Sequence, residues 1–306
     1  VSSSAQRTRR QHVATRNPPD TLQGVPAKLT LLRAAERVTP TLRKIGLGGL
    51  LDRAASGMSS QLGQMTTEFE GFTIHTSQVG HVYYMRDLLE DEHDRYFRKL
   101  LVEAIPEGGT VLEGGAHLGV MTLFAARAAG SGGRVFTFEP NAETLPILQQ
   151  NVDANGFTDR VTVVPLGLSA EEATHTFYVS GGGETSSLHD PGTASHSITI
   201  TTVPADDWFP TDTRLDVVKL DIEGNEVEAV RGMQRLLRDA GPGITVFAEC
   251  NPEMLKRAGQ SPESLIAALQ DCNLKVEWID DVEGRVRAID HEMLRRGYVN
   301  FRCTRA

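Results

Sequence analysis

From residue 110 onward, short apolar runs alternate with longer segments of helical period. The runs "TVLEGG", "RVFTFEP", "RVTVVPLGL", "DVVKLDIEG" and "ITVFAEC" have the length and continuity of strands buried on both faces. Between them lie stretches such as "NAETLPILQQNVDANG", which Asn141 opens and Asn155-Gly156 closes. The alternation predicts an α/β fold with a doubly wound, mostly parallel sheet. Two departures stand out. After the third run, "ATHTFYVS" and "SITITTV" flank "GGGETSSLHDPGTASH", which predicts an inserted hairpin and loop over 173–203. Near the end, "LKVEWIDD" and "YVNFRCT" read as a strand pair, the last strand antiparallel to the others.

Upstream, "FEGFTIHTSQVGHVYYMRD" alternates on both sides of Gly80 and predicts a β-hairpin over 68–86. A helix, "EDEHDRYFRKLLVEAI", then runs into Pro106. Residues 1–60 are expected to form a separate arm, polar and disordered as far as Pro18-Pro19. There "KLTLLRAAERV" sets Leu29, Leu32 and Ala35 at helical spacing, and a second helix through "TLRKIGLGGLLDRAA" follows Pro40. The expected division is an arm at 1–60 and one α/β domain at 61–306.

Composition changes this picture little. The chain is 40% hydrophobic and 23% charged, ordinary for a globular protein with a sizeable core. No apolar run reaches the roughly 18 residues of a membrane helix, so no membrane span is expected. The first twenty residues carry arginines with no apolar segment behind them, so no secretory leader is expected either. Cys250, Cys272 and Cys303 are odd in number and widely spaced, which argues against a disulfide framework or zinc cluster and for a cytoplasmic setting. Charge matters more. The arm holds 10 Lys and Arg against 3 Asp and Glu; the remainder holds 21 against 37, a net of −16. A body that acidic repels a phosphate backbone, so nucleic acid is a poor partner. The arm is expected to be a solvated tail and a docking helix pair, with homodimerisation ranked ahead of an active-site lid or a membrane-surface helix.

The candidate chemistry begins where the first strand ends, at Glu113-Gly114-Gly115-Ala116-His117-Leu118-Gly119. Ligands of such sheets sit outside the carboxyl ends of the strands, where strand order reverses. The glycine spacing differs from the G-x-G-x-x-G of dinucleotide sites, and a carboxylate opens the turn. An anion at Glu113 beside a pyrophosphate would cost several kcal/mol at short range. A P-loop is excluded because no Gly-Lys-Ser/Thr follows. The turn therefore suits a cationic, phosphate-free nucleoside, and S-adenosylmethionine, with its ammonium and sulfonium, meets that description. Glu113 is expected to attract the ammonium directly or through water. Glu139, twenty residues past Gly119 at the end of the second strand, is expected to accept the ribose hydroxyls.

At this point "VLEGGAHLGVMTLFAA", "VFTFEPNAETLPILQQNV", "DVVKLDIEGNEVEAVRG" and "ITVFAEC" together resemble the successive blocks of the FkbM-type S-adenosylmethionine-dependent methyltransferases, over about residues 85–280. The resemblance implies a class I methyltransferase fold, Rossmann-like, with a seven-stranded sheet whose last strand is antiparallel. It also implies O-methylation of hydroxyls on secondary metabolites or sugars. Glu113 stands where the family usually has Asp, and the arm has no obvious counterpart. Expected cofactor contacts are Glu113, Gly115, Ala116, His117 and Gly119 in the turn, Glu139, Pro140 and Asn141 after the second strand, Gly167 after the third, and Asp221 at the fourth.

Methyl transfer also needs a group to take the hydroxyl proton. Candidates are Asp221, Glu223 and Glu226 around Gly224, set against a structural reading in which Asn225 caps the next helix and the glutamates favour its dipole. Asp221 is the preferred one, because it ends a buried strand at the cofactor mouth. His189 and His196 in the inserted loop are weaker candidates. Asp221, Glu249 and Asn251 end neighbouring strands and offer oxygen ligands for Mg²⁺, a set similar but not identical to that of metal-dependent sugar or catechol-like O-methyltransferases, against a structural reading in which Glu249 and Asn251 satisfy backbone donors. "NPPD" at 17–20 is similar to the signature of enzymes that methylate amino groups of bases, but it lacks the aromatic residue and lies far upstream of the fourth strand. The most distant competing functions are a nicotinamide oxidoreductase and a binding module that has lost catalysis.

Overall fold

The computed structural model describes residues 64–77, 81, 84–85, 88, 93–180, 186–190, 194–290, 293 and 297–306. The arm expected at 1–60, with the helix pair and the dimerisation role expected of it, lies outside the described residues. The strands are β1 (Gln64–Phe69), β2 (Phe72–Ser77), β3 (Thr110–Gly114), β4 (Arg134–Phe138), β5 (Val161–Val164), β6 (Gly167–Leu168), β7 (Ala173–Ser180), β8 (Ala194–Val203), β9 (Val217–Leu220), β10 (Thr245–Cys250), β11 (Leu274–Asp280), β12 (Arg285–Ala288) and β13 (Val299–Arg305). The helices are α1 (His93–Ala104), α2 (Val120–Ala129), α3 (Leu145–Ala154), α4 (Ala205–Trp208), α5 (Glu226–Arg231), α6 (Gln234–Asp239), α7 (Pro252–Arg257) and α8 (Pro262–Gln270).

The main sheet runs β12-β11-β13-β10-β9-β3-β4-β5. Strands β5, β4, β3, β9 and β10 pair in parallel, while β13 is antiparallel to both β10 and β11. This is the class I methyltransferase, Rossmann-like architecture. It holds eight strands where seven were expected. After Asp280 the chain turns at Gly284, at φ 61°, and returns as β12, too short and too arginine-rich to register as an apolar run.

Neighbouring residues of the central strands serve opposite layers. Val218 and Val246 pack with Leu236, Leu237, Leu265 and Trp278, while Val217 and Phe247 pack with Phe97, Leu101, Phe124 and Leu148. Burial on both faces is why these strands read as continuous apolar runs. All three cysteines are free thiols buried in the first of these layers. Among the described residues, no helix is long and apolar enough to cross a membrane.

The first hairpin lies earlier than the alternation around Gly80 suggested. It is β1–β2, turning at Glu70 and Gly71, both at positive φ (47° and 85°). A two-residue hairpin turn of this kind matches strand twist and tolerates glycine at its second position. Beyond Ser77, the described residues His81, Tyr84, Met85 and Leu88 are helical, and the buried His81, Met85 and Leu88 fall at helical spacing. Asn151 of α3 and Asn155, which follows its last residue, hold the hairpin. Asn151 accepts from the His75 N–H at 2.7 Å and Asn155 from the Thr73 N–H at 2.9 Å. In the inserted segment β7 and β8 pair antiparallel, and β8 pairs in parallel with β6, making a separate three-stranded sheet.

Candidate active site

A cavity of about 430 Å³ opens at the carboxyl ends of β3, β4, β9 and β10, where strand order reverses between β3 and β9. Its floor is the turn after β3. Gly115 sits at φ 79° with its N–H on the Phe138 carbonyl at 3.0 Å, and Gly119 opens α2 at φ 84°.

Glu113 does not reach the cavity wall. Its side chain is only 2% exposed; one carboxylate oxygen accepts from the hydroxyls of Thr122 and Thr137, and the other lies 3.6 Å from Lys219 Nζ. Glu113, expected to attract the ligand's ammonium directly or through water, is thus engaged in an internal ion pair. Register explains it: Thr137, Glu113, Lys219 and Phe247 form one row across β4, β3, β9 and β10, on the face that α2 covers. A carboxylate in that row is too costly to bury unpaired. Lys219 Nζ also donates to the Gly115 carbonyl at 3.0 Å and lies 3.3 Å from Asp221 Oδ2. Burial works against its charge, but Asp221 and Glu113 outweigh that and hold the ammonium above its ordinary pKa. Sequence reasoning missed Lys219. The signal was a single lysine within an otherwise apolar run, "DVVKLD".

Glu139 lines the cavity. One oxygen accepts from the His117 N–H at 2.8 Å and the other from the Asn141 N–H at 2.9 Å. Burial raises its pKa, and those two backbone donors pull it part of the way back. His117 holds a left-handed backbone at φ 49°, which costs a non-glycine residue about 1 kcal/mol or more. Its ring meets His81 and Tyr84 edge-on, at 5.2 and 5.0 Å between centroids. Burial pushes its pKa down to about 3 and that of His81 to about 4, so both imidazoles are neutral. Ala116, Pro140, Asn141 and Gly167 line the same cavity; Gly119 is not on its wall, and its Cα faces Leu148.

At the far end, Asp221, Glu223 and Glu249 bring carboxylate oxygens within 4.8 Å of one another. Burial drives the Glu249 pKa well above the carboxylate range, and the charges of Asp221, Glu223 and Glu226 add to this. One Glu249 oxygen, Oε2, is buried and accepts no hydrogen bond among the described residues. Glu226 is not part of this group. Its carboxylate turns back on its own loop, accepting from the Ile222 N–H at 3.0 Å and the Gly224 N–H at 3.0 Å, and burial raises its pKa to about 7. It shapes the loop that carries Glu223 and is not on the cavity wall. Asn225 does not cap α5 with its side chain; it donates to the Leu168 carbonyl at 2.8 Å.

Three further expectations change. Asn251 lines the cavity, but its side-chain oxygen caps α7 by accepting from Glu253 and Met254 N–H, while Glu223 joins Asp221 and Glu249 in the carboxylate cluster. His196 is not on the cavity wall and pairs with Glu143 at 2.9 Å, both side chains being more than 40% exposed. His189 is not on the wall either, although its neighbour Leu188 is; its backbone N–H donates to Ser187 Oγ at 3.1 Å.

The model of the methyltransferase FkbM domain matches residues 113–276, a little over half of the chain. The chain is 29% identical to the hexuronic acid methyltransferase AglP of Haloferax volcanii over 224 residues, 70% of this chain and 82% of that protein. It is 27% identical to an arginine N(omega)-methyltransferase of Streptomyces achromogenes subsp. streptozoticus over 118 residues, 39% of this chain and 32% of that protein. Among solved structures, an S-adenosylmethionine-dependent O-methyltransferase from Thermotoga maritima superposes with a TM-score of 0.41 at 15% identity, covering 80% of this chain and 78% of that one.

Proposed function

The chain belongs to the FkbM methyltransferase domain family and is an S-adenosylmethionine-dependent methyltransferase, and on that premise we propose that it methylates a hydroxyl of a small molecule, a glycoside or polyketide. The convergence of Asp221 and Glu249 at the cavity end of β9 and β10 carries this reading. The hydroxyl oxygen attacks the methyl carbon, the carbon–sulfur bond breaks with its electron pair left on sulfur, and the hydroxyl proton passes to a carboxylate. Asp221, paired with Lys219, orients the hydroxyl, and Glu249 in its ionised form, whose basicity burial raises, receives the proton. Glu139 and the backbone of Gly115 and His117 hold the donor. Aligning nucleophile, methyl and sulfur in this way can lower the barrier by roughly 7–11 kcal/mol. The sugar acceptor named for the Haloferax relative supports the glycoside class. The nicotinamide alternative falls away with the family assignment.

A second reading adds a divalent metal. The three carboxylates form an all-oxygen donor set suited to Mg²⁺, and the buried Glu249 oxygen without a hydrogen-bond donor fits a ligand role. Asp221, Glu223 and Glu249 would hold the ion, which when bound would lower the hydroxyl pKa. The three free thiols support a reducing, cytoplasmic setting.

The test is mass spectrometry of hydroxylated glycosides and polyketides incubated with enzyme and isotopically labelled methyl donor. Label on an ether oxygen supports the reading; label on nitrogen or on a carboxylate overturns it. Activity that survives chelation removes the metal reading.

A further inference from the structure

We propose that Lys219 sets how strongly the cavity prefers the positively charged methyl donor to its neutral demethylated product, S-adenosylhomocysteine. The inference rests on the cofactor reading above. Donor and product have nearly the same shape and make nearly the same contacts. They differ by one methyl group and one unit of charge at sulfur, so fixed charges around the cavity decide the ratio of their affinities.

The described ionisable groups around the cavity are mostly acidic: Glu139, Asp221, Glu223 and Glu249 on its wall, Glu226 behind the loop and Glu113 beneath the turn. His117 is a neutral imidazole. Such a set, left alone, would bind the sulfonium tightly and release the product easily. Lys219 is the opposing charge. Only 5% exposed, it is fixed by the Gly115 carbonyl at 3.0 Å on one side and Asp221 at 3.3 Å on the other, so its ammonium cannot swing away into solvent. Because Glu113 lies 3.6 Å from it, the two charges form a buried couple whose halves act on the ligand with opposite sign.

The experiment measures dissociation constants for S-adenosylmethionine and S-adenosylhomocysteine by calorimetry at one mildly alkaline pH, with a chelator present so that no bound cation contributes charge. The proteins are wild type, Lys219→Met, Lys219→Arg, Glu113→Gln and the double variant Glu113→Gln/Lys219→Met. Lys219→Met should shift the affinity ratio toward the donor by about fivefold or more, the size expected of one unit charge within roughly 10 Å at reduced dielectric. Glu113→Gln should shift it the other way. The double variant and Lys219→Arg should return near the wild-type ratio. Equal losses in both affinities, with the ratio unmoved, would show a merely structural lysine and overturn the proposal. If Lys219→Met fails to fold, an unshifted ratio in Glu113→Gln overturns it equally. Failure of wild type to bind either compound would instead sink the cofactor reading itself.

Discussion

Replacing Gly115 with alanine tests the tightest approach to any glycine among the described residues. A Cβ at Gly115 would stand 1.8 Å from the Asp221 carbonyl oxygen and 2.8 Å from its carbonyl carbon. Such contacts do not relax below about 3 Å, so the turn after β3 and the end of β9 must part by more than about 1 Å. Three costs follow. Alanine at φ 79° costs about 1–2 kcal/mol. Overpacking adds about 1–3 kcal/mol, and loosening the Asp221 N–H bond to the Gly114 carbonyl, now 3.2 Å, adds about 1 kcal/mol. The total, about 3–6 kcal/mol, is a large share of the 5–15 kcal/mol typical of a folded protein. The same shift moves Asp221 relative to the cofactor turn, and a displacement near 1 Å costs turnover about 100-fold. Urea unfolding followed through Trp208 and Trp278, with calorimetry of S-adenosylhomocysteine on the folded fraction, measures both effects. A wild-type unfolding midpoint together with undiminished ligand affinity would refute the packing argument.

Other expectations are simpler. Glu139→Ala, which removes the carboxylate accepting from His117 and Asn141 N–H, should weaken cofactor binding at least about tenfold, about 1.4 kcal/mol, while the protein stays folded; calorimetry reads it directly. His81 has a folded pKa of about 4 against 6.5 unfolded, so its contribution to stability is complete above pH 6.5 and declines as pH falls toward 4. That loss amounts to about 3 kcal/mol, and His81→Gln should flatten the acid slope of urea stability; an unchanged slope would contradict the burial argument. His196→Ala should leave turnover within about twofold and stability within about 0.5 kcal/mol, because the partly exposed pair with Glu143 is worth little.

The architecture was legible because burial on both faces leaves a continuous mark on the sequence: Val217 and Val218 serve different layers, and both must be apolar. Glu139 was legible for a related reason, since a carboxylate ending a buried strand has few structural explanations. The charges that balance one another were not. Glu113 and Lys219 meet only because β3 and β9 lie side by side in one register, and strand adjacency over a separation of 106 residues is not written in either segment. Glu226 and Asn251 show the opposite failure. Each carries a suitable oxygen in the segment that follows a strand, yet each spends it on nearby backbone N–H groups, a local competition that residue type alone cannot resolve. The hairpin was displaced because alternation persists past Ser77 into residues that turn out helical, while Glu70-Gly71, the actual turn, looked like part of a strand.

The three sulfur atoms packed behind the sheet have a practical meaning. Cys250, Cys272 and Cys303 are shut away, and burial raises the pKa of each, suppressing the thiolate that alkylating reagents attack. In the closed molecule they are chemically silent, and they answer only when the layer over them opens. The enzyme therefore carries its own clock for breathing motions: the rate at which these atoms take up a label counts how often the back of the sheet comes apart.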